Sequence, residues 1–297
     1  MIAKAALAAL LAVSGCASIK PGPAPWSPWA ASNPSWIEPF APFRIEDGVY
    51  FVGTKGLSSF LVTTPDGHFL LDGGLPENAK IIARNIETLG FNLRDIRYLL
   101  NSHAHFDHSG GLAALKKMTD AALVASEPDR SALEGGFYLG SEGDPSLGAP
   151  PVAVDRTIAD GEALILGGVA MTARLTPGHT RGCTSWTMTA GGRDILFFCS
   201  ASVAANRLVA SSDGPPQYEG IVEDYRATFD KLRSWRPDIF LSNHPEVFGM
   251  EERRARQLGG KADAFVDREV FPAVVVRLGA AFEKALAEQT AIVAGSQ

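Results

Sequence analysis

The stretch Asn101-Ser102-His103-Ala104-His105-Phe106-Asp107-His108 gathers three of the chain's six histidines into one short segment. No other feature limits the fold so strongly. His103 and His105 are two residues apart, so at the end of an extended strand both rings can turn toward one cation. Asp107 and His108 follow within reach of a second. Single histidines stand far downstream in Pro177-Gly178-His179 and in Ser242-Asn243-His244-Pro245. A neutral imidazole nitrogen is the usual ligand of Zn²⁺, at about 2.0–2.1 Å. The islands read as one dinuclear zinc centre, which obliges the chain to bring three remote loops together. The alternative is a buried histidine network without metal.

The chemistry of such a centre follows from its ligand count. Three protein ligands on a zinc leave a position for water and lower that water's pKa to about 7. A hydroxide held between two zincs would be a nucleophile at neutral pH, and the second metal would stabilise charge on the leaving atom. Amide or ester hydrolysis needs these two services and no protein nucleophile. None is visible: the chain has neither G-x-S-x-G nor S-x-x-K. Neither Cys183 nor Cys199 is needed as a ligand, because the histidine and aspartate set is already complete.

The chain's 297 residues, 46% hydrophobic and 20% charged, suffice for one large domain. A net charge of −6 without a Lys/Arg cluster argues against a nucleic-acid partner. The N-terminus reads as a targeting segment. Lys4 is followed by an apolar run over residues 5–13, too short to span a bilayer but suited to a secretory signal. Val13-Ser14-Gly15-Cys16 resembles the lipobox of bacterial lipoproteins, in which the cysteine is acylated; an ordinary signal peptide that contains a cysteine is the alternative. Residues 1–15 are thus expected to be a signal, residues 16–35 a proline-rich tether, and residues 36–297 a single domain. No aspartate follows Cys16, so the expected location is the periplasm, at the outer membrane. Export leaves Cys183 and Cys199 in an oxidising compartment, at the open end of a hairpin formed by residues 185–188 and 195–198. They are expected either to pair or to stay as buried thiols.

From Trp36 the pattern is globular. Hairpin signals stand at Asp47-Gly48 and Pro65-Asp66-Gly67. Helical spacing runs over residues 77–89 and stops at Gly90. A short apolar strand at 97–100 delivers His103, and a helix is expected over 110–117. A strand (123–125) and a short helix (127–133) follow. Residues 135–151, rich in Gly, Pro and Ser, read as a long loop of the kind that is often functional. A third hairpin (162–175) delivers His179. An amphipathic helix (218–235) precedes a strand (239–241) that delivers His244; residues 251–257 and the stretch from Pro272 to about Glu288 read as helical. Strands and helices alternate in two sets, which suits a layered α/β sandwich with ligands on loops at one edge.

His103-Ala104-His105-Phe106-Asp107-His108-Ser109-Gly110-Gly111 resembles the H-x-H-x-D-H signature of the metallo-β-lactamase superfamily, which includes β-lactamases, glyoxalase II, lactonases and nucleases. Most of those relatives place a bridging aspartate after the Gly-His island. Here the stretch reads Phe197-Phe198-Cys199-Ser200-Ala201-Ser202. Ser200 at that position is similar to subclass B3; a shift of one residue would bring Cys199 there, as in the other subclasses. Residues 36–43, 53–60, 72–74, 222–226 and 242–245 also resemble subclass B3.

The resemblance implies a four-layer αβ/βα sandwich with the site at one edge, and two Zn²⁺ per chain. His103, His105 and His179 would bind the first zinc; Asp107, His108 and His244 would bind the second, with Asp107 also the catalytic carboxylate. Ser200 and Ser202 would hold a substrate carboxylate. The implied activity is opening of the β-lactam ring of penicillins, cephalosporins and carbapenems, a resistance function, by a monomer acting on a small molecule. A lactone or thioester hydrolase is the alternative. Asp72 is expected to hold a nearby loop, to orient a ligand histidine, or to be a simple strand-end turn. Trp36 and Phe40 are expected to wall the cleft or to pack within the fold, and His68 is a hairpin residue. If Cys16 carries the lipid, Cys16→Ser should move the protein from the membrane to the soluble fraction. Unchanged membrane association on fractionation would rule out that anchor.

Overall fold

The computed structural model describes residues 28–295. The expected signal, lipobox and most of the tether (residues 1–27) lie outside the described residues. Twelve strands form two sheets among these residues. The first sheet holds β1 (Phe43–Glu46), β2 (Val49–Phe51), β3 (Phe60–Thr64), β4 (Gly67–Leu71), β5 (Ile96–Leu100), β6 (Ala122–Ser126) and β7 (Arg156–Ile158) in chain order. The second holds β8 (Ala163–Leu166), β9 (Val169–Leu175), β10 (Thr184–Ala190), β11 (Arg193–Phe198) and β12 (Ile239–Ser242), in the order β12-β11-β10-β9-β8. The helices are α1 (Pro28–Ser32), α2 (Asn78–Thr88), α3 (Phe106–Ser109), α4 (Leu112–Thr119), α5 (Glu127–Gly135), α6 (Ile221–Leu232), α7 (Met250–Leu258) and α8 (Val270–Gly295).

Alternation along the strands builds the layers. In a strand successive side chains point to opposite faces. Phe60, Val62, Phe69, Leu71, Leu100 and Val124 share a core with Trp186, Ile195 and Phe197 of the second sheet. Phe60 meets Phe197 with ring centroids 5.3 Å apart. The intervening residues Leu61, Leu70, Leu99 and Leu123 pack instead on Ile82 and Ile86 of α2, on Leu112 and Leu115 of α4 and on Leu133 of α5. α2 buries Ala79, Ile82, Ala83 and Ile86, the spacing of one helical face. On the far side Phe271 of α8 packs on Phe198 and Phe240, and Tyr225 of α6 stacks on Phe282 of α8. The result is the expected αβ/βα sandwich.

Topology places the functional edge. β4, β5, β6 and β7 pair in parallel, linked through α2, α4 and α5. In open parallel sheets ligands bind beyond the C-terminal ends of the strands. β5 ends at Leu100, just before the histidine cluster. β11 and β12 also pair in parallel and end together at Phe198 and Ser242.

Three differences from the sequence reading have physical reasons. The domain begins before Trp36: Ala30 of α1 is buried with Leu57, Leu75 and Phe106, and Trp29 Nε1 donates to Ser146 O at 2.9 Å. Residues 28–35 are therefore part of the fold rather than tether. The helix expected over 110–117 is present as α4, but a separate short helix, α3, precedes it and the two do not run on into each other. There His108 O accepts from Gly73 N at 2.8 Å and Gly111 N donates to Gly74 O at 3.0 Å, so the neighbouring turn takes bonds that a continuous helix would use. β7 was not anticipated; it is only three residues long and begins with an exposed arginine.

Cys183 and Cys199 form a disulfide across the open end of the β10–β11 hairpin, with Cα atoms 5.9 Å apart and a sequence separation of 16. Closing a loop of this length stabilises a fold by about 3 kcal/mol. A Cys183→Ser/Cys199→Ser variant is expected to unfold at clearly lower temperature than the parent. Equal melting curves, together with free thiols in the mass spectrum of the unreduced parent, would count against the bond.

Candidate metal centre

Each ligand loop is anchored before it reaches the centre. Asp72, at the end of β4, adopts a left-handed backbone with φ 61°. Its buried carboxylate accepts from Ser102 N at 2.7 Å and from Asn101 Nδ2 at 3.4 Å. Of the three expected roles it has the first: it holds the loop that begins the histidine cluster. Trp186 Nε1 donates to Asn101 O at 3.2 Å from the other sheet. His179 follows the sharp bend at Gly178, whose φ is 132°. A Cβ there would lie 2.7 Å from the Tyr225 ring, so only glycine lets the loop pass. His244 follows β12, where Asn243 O accepts from Ser58 N at 2.8 Å.

The three loops converge as two groups. His103, His105 and His179 bring one ring nitrogen each to within 4.8 Å of one another, and so do the ligand atoms of Asp107, His108 and His244. His103 Nε2 and His179 Nε2 are 3.2 Å apart. Two nitrogens on a tetrahedral zinc would be separated by about 3.3 Å, given the usual Zn–N bond length. Burial, reinforced by the neighbouring imidazoles, holds His103 and His105 well below the ordinary imidazole range. Burial also takes His179 down to about 4. All three rings are thus neutral at pH 7, the form that ligates a metal. His179 Nδ1 lies 2.8 Å from Ser202 O. A carbonyl can only accept, so Nδ1 carries the proton and Nε2 offers its lone pair to the centre.

The second group has a different balance of charge. Asp107 Oδ2 lies 3.1 Å from His108 Nε2 and 3.4 Å from His244 Nε2. Burial pushes the Asp107 carboxyl up, but His108 and His244 outweigh it and hold it well below the usual carboxylate range. For His244 burial acts downward, and hydrogen bonding and attraction to Asp107 raise it overall. His108 Nδ1 is buried without a hydrogen-bond partner among the described residues. Three neutral nitrogens at one point, and a carboxylate with two imidazoles beside it, are a donor set that suits zinc.

Ser200 and Ser202 stand together just past β11, their hydroxyls 3.3 Å apart and half-buried. Ser202 Oγ is 3.3 Å from His179 Nδ1. Cys199 Sγ approaches His103 Nδ1 at 3.5 Å, on the side of that ring away from Nε2, and its sulfur is committed to the disulfide. Trp36 lies against His244 with ring centroids 5.9 Å apart. Phe40 instead packs on Phe43 and Phe51 within the fold. His68 is the expected hairpin residue, taking a bond from Thr64 N at 3.4 Å.

Sequence reasoning missed the groups that support the centre from its flank. Tyr138, in the long loop, stacks on His105 with centroids 4.1 Å apart, and its hydroxyl donates to Asn206 Oδ1 at 2.9 Å. Asn206 Nδ2 donates to His179 O at 2.9 Å, and Tyr225 Oη to Ser202 O at 2.7 Å. An aromatic pair, Phe137-Tyr138, in a Gly-rich loop was the available signal for Tyr138; Asn206 offered none.

A family model described as Metallo-beta-lactamase superfamily matches residues 52–244. The chain belongs to this superfamily, and it resembles subclass B3 within it. The crystal structure of BJP-1, a subclass B3 metallo-beta-lactamase of Bradyrhizobium japonicum, superposes with a TM-score of 0.82 at 45% identity, covering 87% of this chain and 98% of that one. Among curated proteins, a hydroxyacylglutathione hydrolase of Maricaulis maris is 27% identical over 45% of this chain and 43% of its own length. The N-acyl homoserine lactonase AttM of Rhizobium johnstonii is 26% identical over 43% of this chain and 57% of its own. The chain spans about half the length of these curated relatives.

The geometry separates ligands from flanking groups in a measurable way. His179→Ala removes a nitrogen from the first group and is expected to lower bound metal and reduce kcat by a factor on the order of 10³ or more. Ser202→Ala leaves the carbonyl that fixes His179 in place. It is expected to keep the metal and most of kcat while raising KM about tenfold for a carboxylate-bearing substrate. Loss of metal from Ser202→Ala, measured by elemental analysis, would contradict this division.

Proposed function

We propose that this chain is a dizinc β-lactamase that opens the ring of penicillins, cephalosporins and carbapenems and so confers antibiotic resistance. One observation carries the reading. The two three-residue ligand groups stand beside paired serines at the end of β11, in a chain similar to a subclass B3 enzyme over nearly all of that enzyme's length.

Zinc bound at the two groups would activate a water molecule and stabilise negative charge on the departing nitrogen. The residues of the chain do the remaining work. His103, His105 and His179 would hold the first ion, and Asp107, His108 and His244 the second. Asp107 turns Oδ2 to His108 and His244, which leaves Oδ1 to accept a proton from the attacking water. The amide C–N bond breaks as a C–O bond forms, and the nitrogen takes up that proton. The Ser200 and Ser202 hydroxyls donate to the carboxylate of the substrate, and Trp36 lines the rim beside His244. The disulfide supports an oxidising compartment. We extend the proposal to a periplasmic monomer anchored to the outer membrane through Cys16.

A second reading, hydrolysis of a lactone or thioester, is favoured by the partial matches to a lactonase and a hydroxyacylglutathione hydrolase. Ser200, where a bridging aspartate would be expected, weighs against it. The test is a side-by-side assay of purified zinc-loaded protein on a carbapenem, a penicillin, an acyl homoserine lactone and a glutathione thioester. The β-lactams are expected to be turned over, with activity lost on chelation and restored by zinc. Turnover of the lactone or thioester alone would replace the first reading with the second.

A further inference from the structure

Ser126 and Asp129 stand at the start of α5 with the spacing of a capping box, serine at the N-cap and an acid three residues on. In such a box both side chains serve the open N–H groups of their own helix. Here neither does, and Ser126 makes no side-chain cap bond. Ser126 Oγ donates to Gly182 O at 2.7 Å. Asp129 Oδ1 accepts from Gly182 N at 2.9 Å, and Oδ2 accepts from Thr180 Oγ1 and from Ala104 N, each at 3.0 Å.

These partners lie on both loops that carry the first group of ligands. Ala104 sits between His103 and His105, and Thr180 directly follows His179. Asp129 is buried, 2% exposed, and its three donors are all drawn from these loops. The fit is close: a Cβ on Gly182 would lie 2.6 Å from Asp129 Cγ and would also collide with Ser126 Oγ. The first N–H groups of a helix have no intrahelical partner and are often met by such side chains, yet here both side chains bond to other segments instead. The bonds that the buried carboxylate takes from two separate loops are charge-assisted, and so stronger than neutral ones.

We propose that Asp129 is a positioning residue of the first metal group: by gripping Ala104, Thr180 and Gly182 at once, it sets the separation of the two loops and so the point where the nitrogens of His103, His105 and His179 converge. It touches neither metal nor substrate, and it acts on the ligands through their backbone. The proposal rests on the reading of this group as a zinc site.

Asp129→Asn and Thr180→Val, studied with the full-length parent, test it. In Asp129→Asn an amide group replaces one accepting oxygen; Thr180→Val removes a single donor and serves if the first variant folds poorly. Zinc affinity is read by competition with a chromogenic chelator, and melting temperature is recorded with and without zinc. Affinity for one of the two zinc ions is expected to fall on the order of tenfold or more, with a smaller rise in melting temperature on adding zinc. On a β-lactam, kcat should drop while KM changes little. A purely structural role would lower the melting temperature of the metal-free protein and leave zinc affinity at the parent's value, and that outcome overturns the proposal. If the parent itself takes up no zinc, the proposed function fails and this inference with it. Unchanged affinity in both variants of a zinc-binding parent overturns the inference alone.

Discussion

His103 and His179 present ring nitrogens 3.2 Å apart inside the protein, both rings neutral. Much of the architecture around this contact holds the two rings in place. Neutral imidazole nitrogens that both offer lone pairs repel at that distance unless a cation or a proton lies between them. Bringing them together from residues 103 and 179 requires rigid loops and a rigid scaffold beneath. The two sheets supply the scaffold, since each ligand loop leaves the end of a strand packed in one common core.

The anchoring of those loops is polar and almost wholly buried. Asp72 holds the first loop from below, Asp129 holds it from the side, and the Ser202 carbonyl fixes the tautomer of His179. Buried carboxylates are costly to desolvate, and burial raises Asp72 and Asp129 to about 6. Backbone N–H donors offset that cost. The disulfide adds a covalent tie between the start of β10 and the end of β11, next to the serine pair. Two interactions of different chemistry therefore restrain the same corner of the site.

The elements that were legible in the chain are those with strong local signals. α2 has a full apolar face and a glycine just past its end; the hairpins around Gly48 and Gly67 have tight-turn residues. Elements that depend on distant partners were not legible. α3 separates from α4 because the turn at residues 73–74 takes its backbone bonds, and nothing near residue 106 announces this. Phe40 and Trp36 look alike in sequence, yet one packs against the core and the other stands at the rim, because only Trp36 lies beside the loop that follows β12.

Sequence by itself picked out the six candidate ligands that the fold gathers into two groups, because the chemistry of a metal centre is written in residue type and spacing. Histidines two apart, with an aspartate and a third histidine just behind, allow few other uses. Tertiary structure alone decided which groups hold those ligands in place. Asp129, Tyr138, Asn206 and Tyr225 come from segments with no metal signature, and they reach the centre only because the packing of α5, α6 and the long loop against the strand ends carries them there. A ligand is recognised by its own chemistry, whereas a support is recognised only by what it touches.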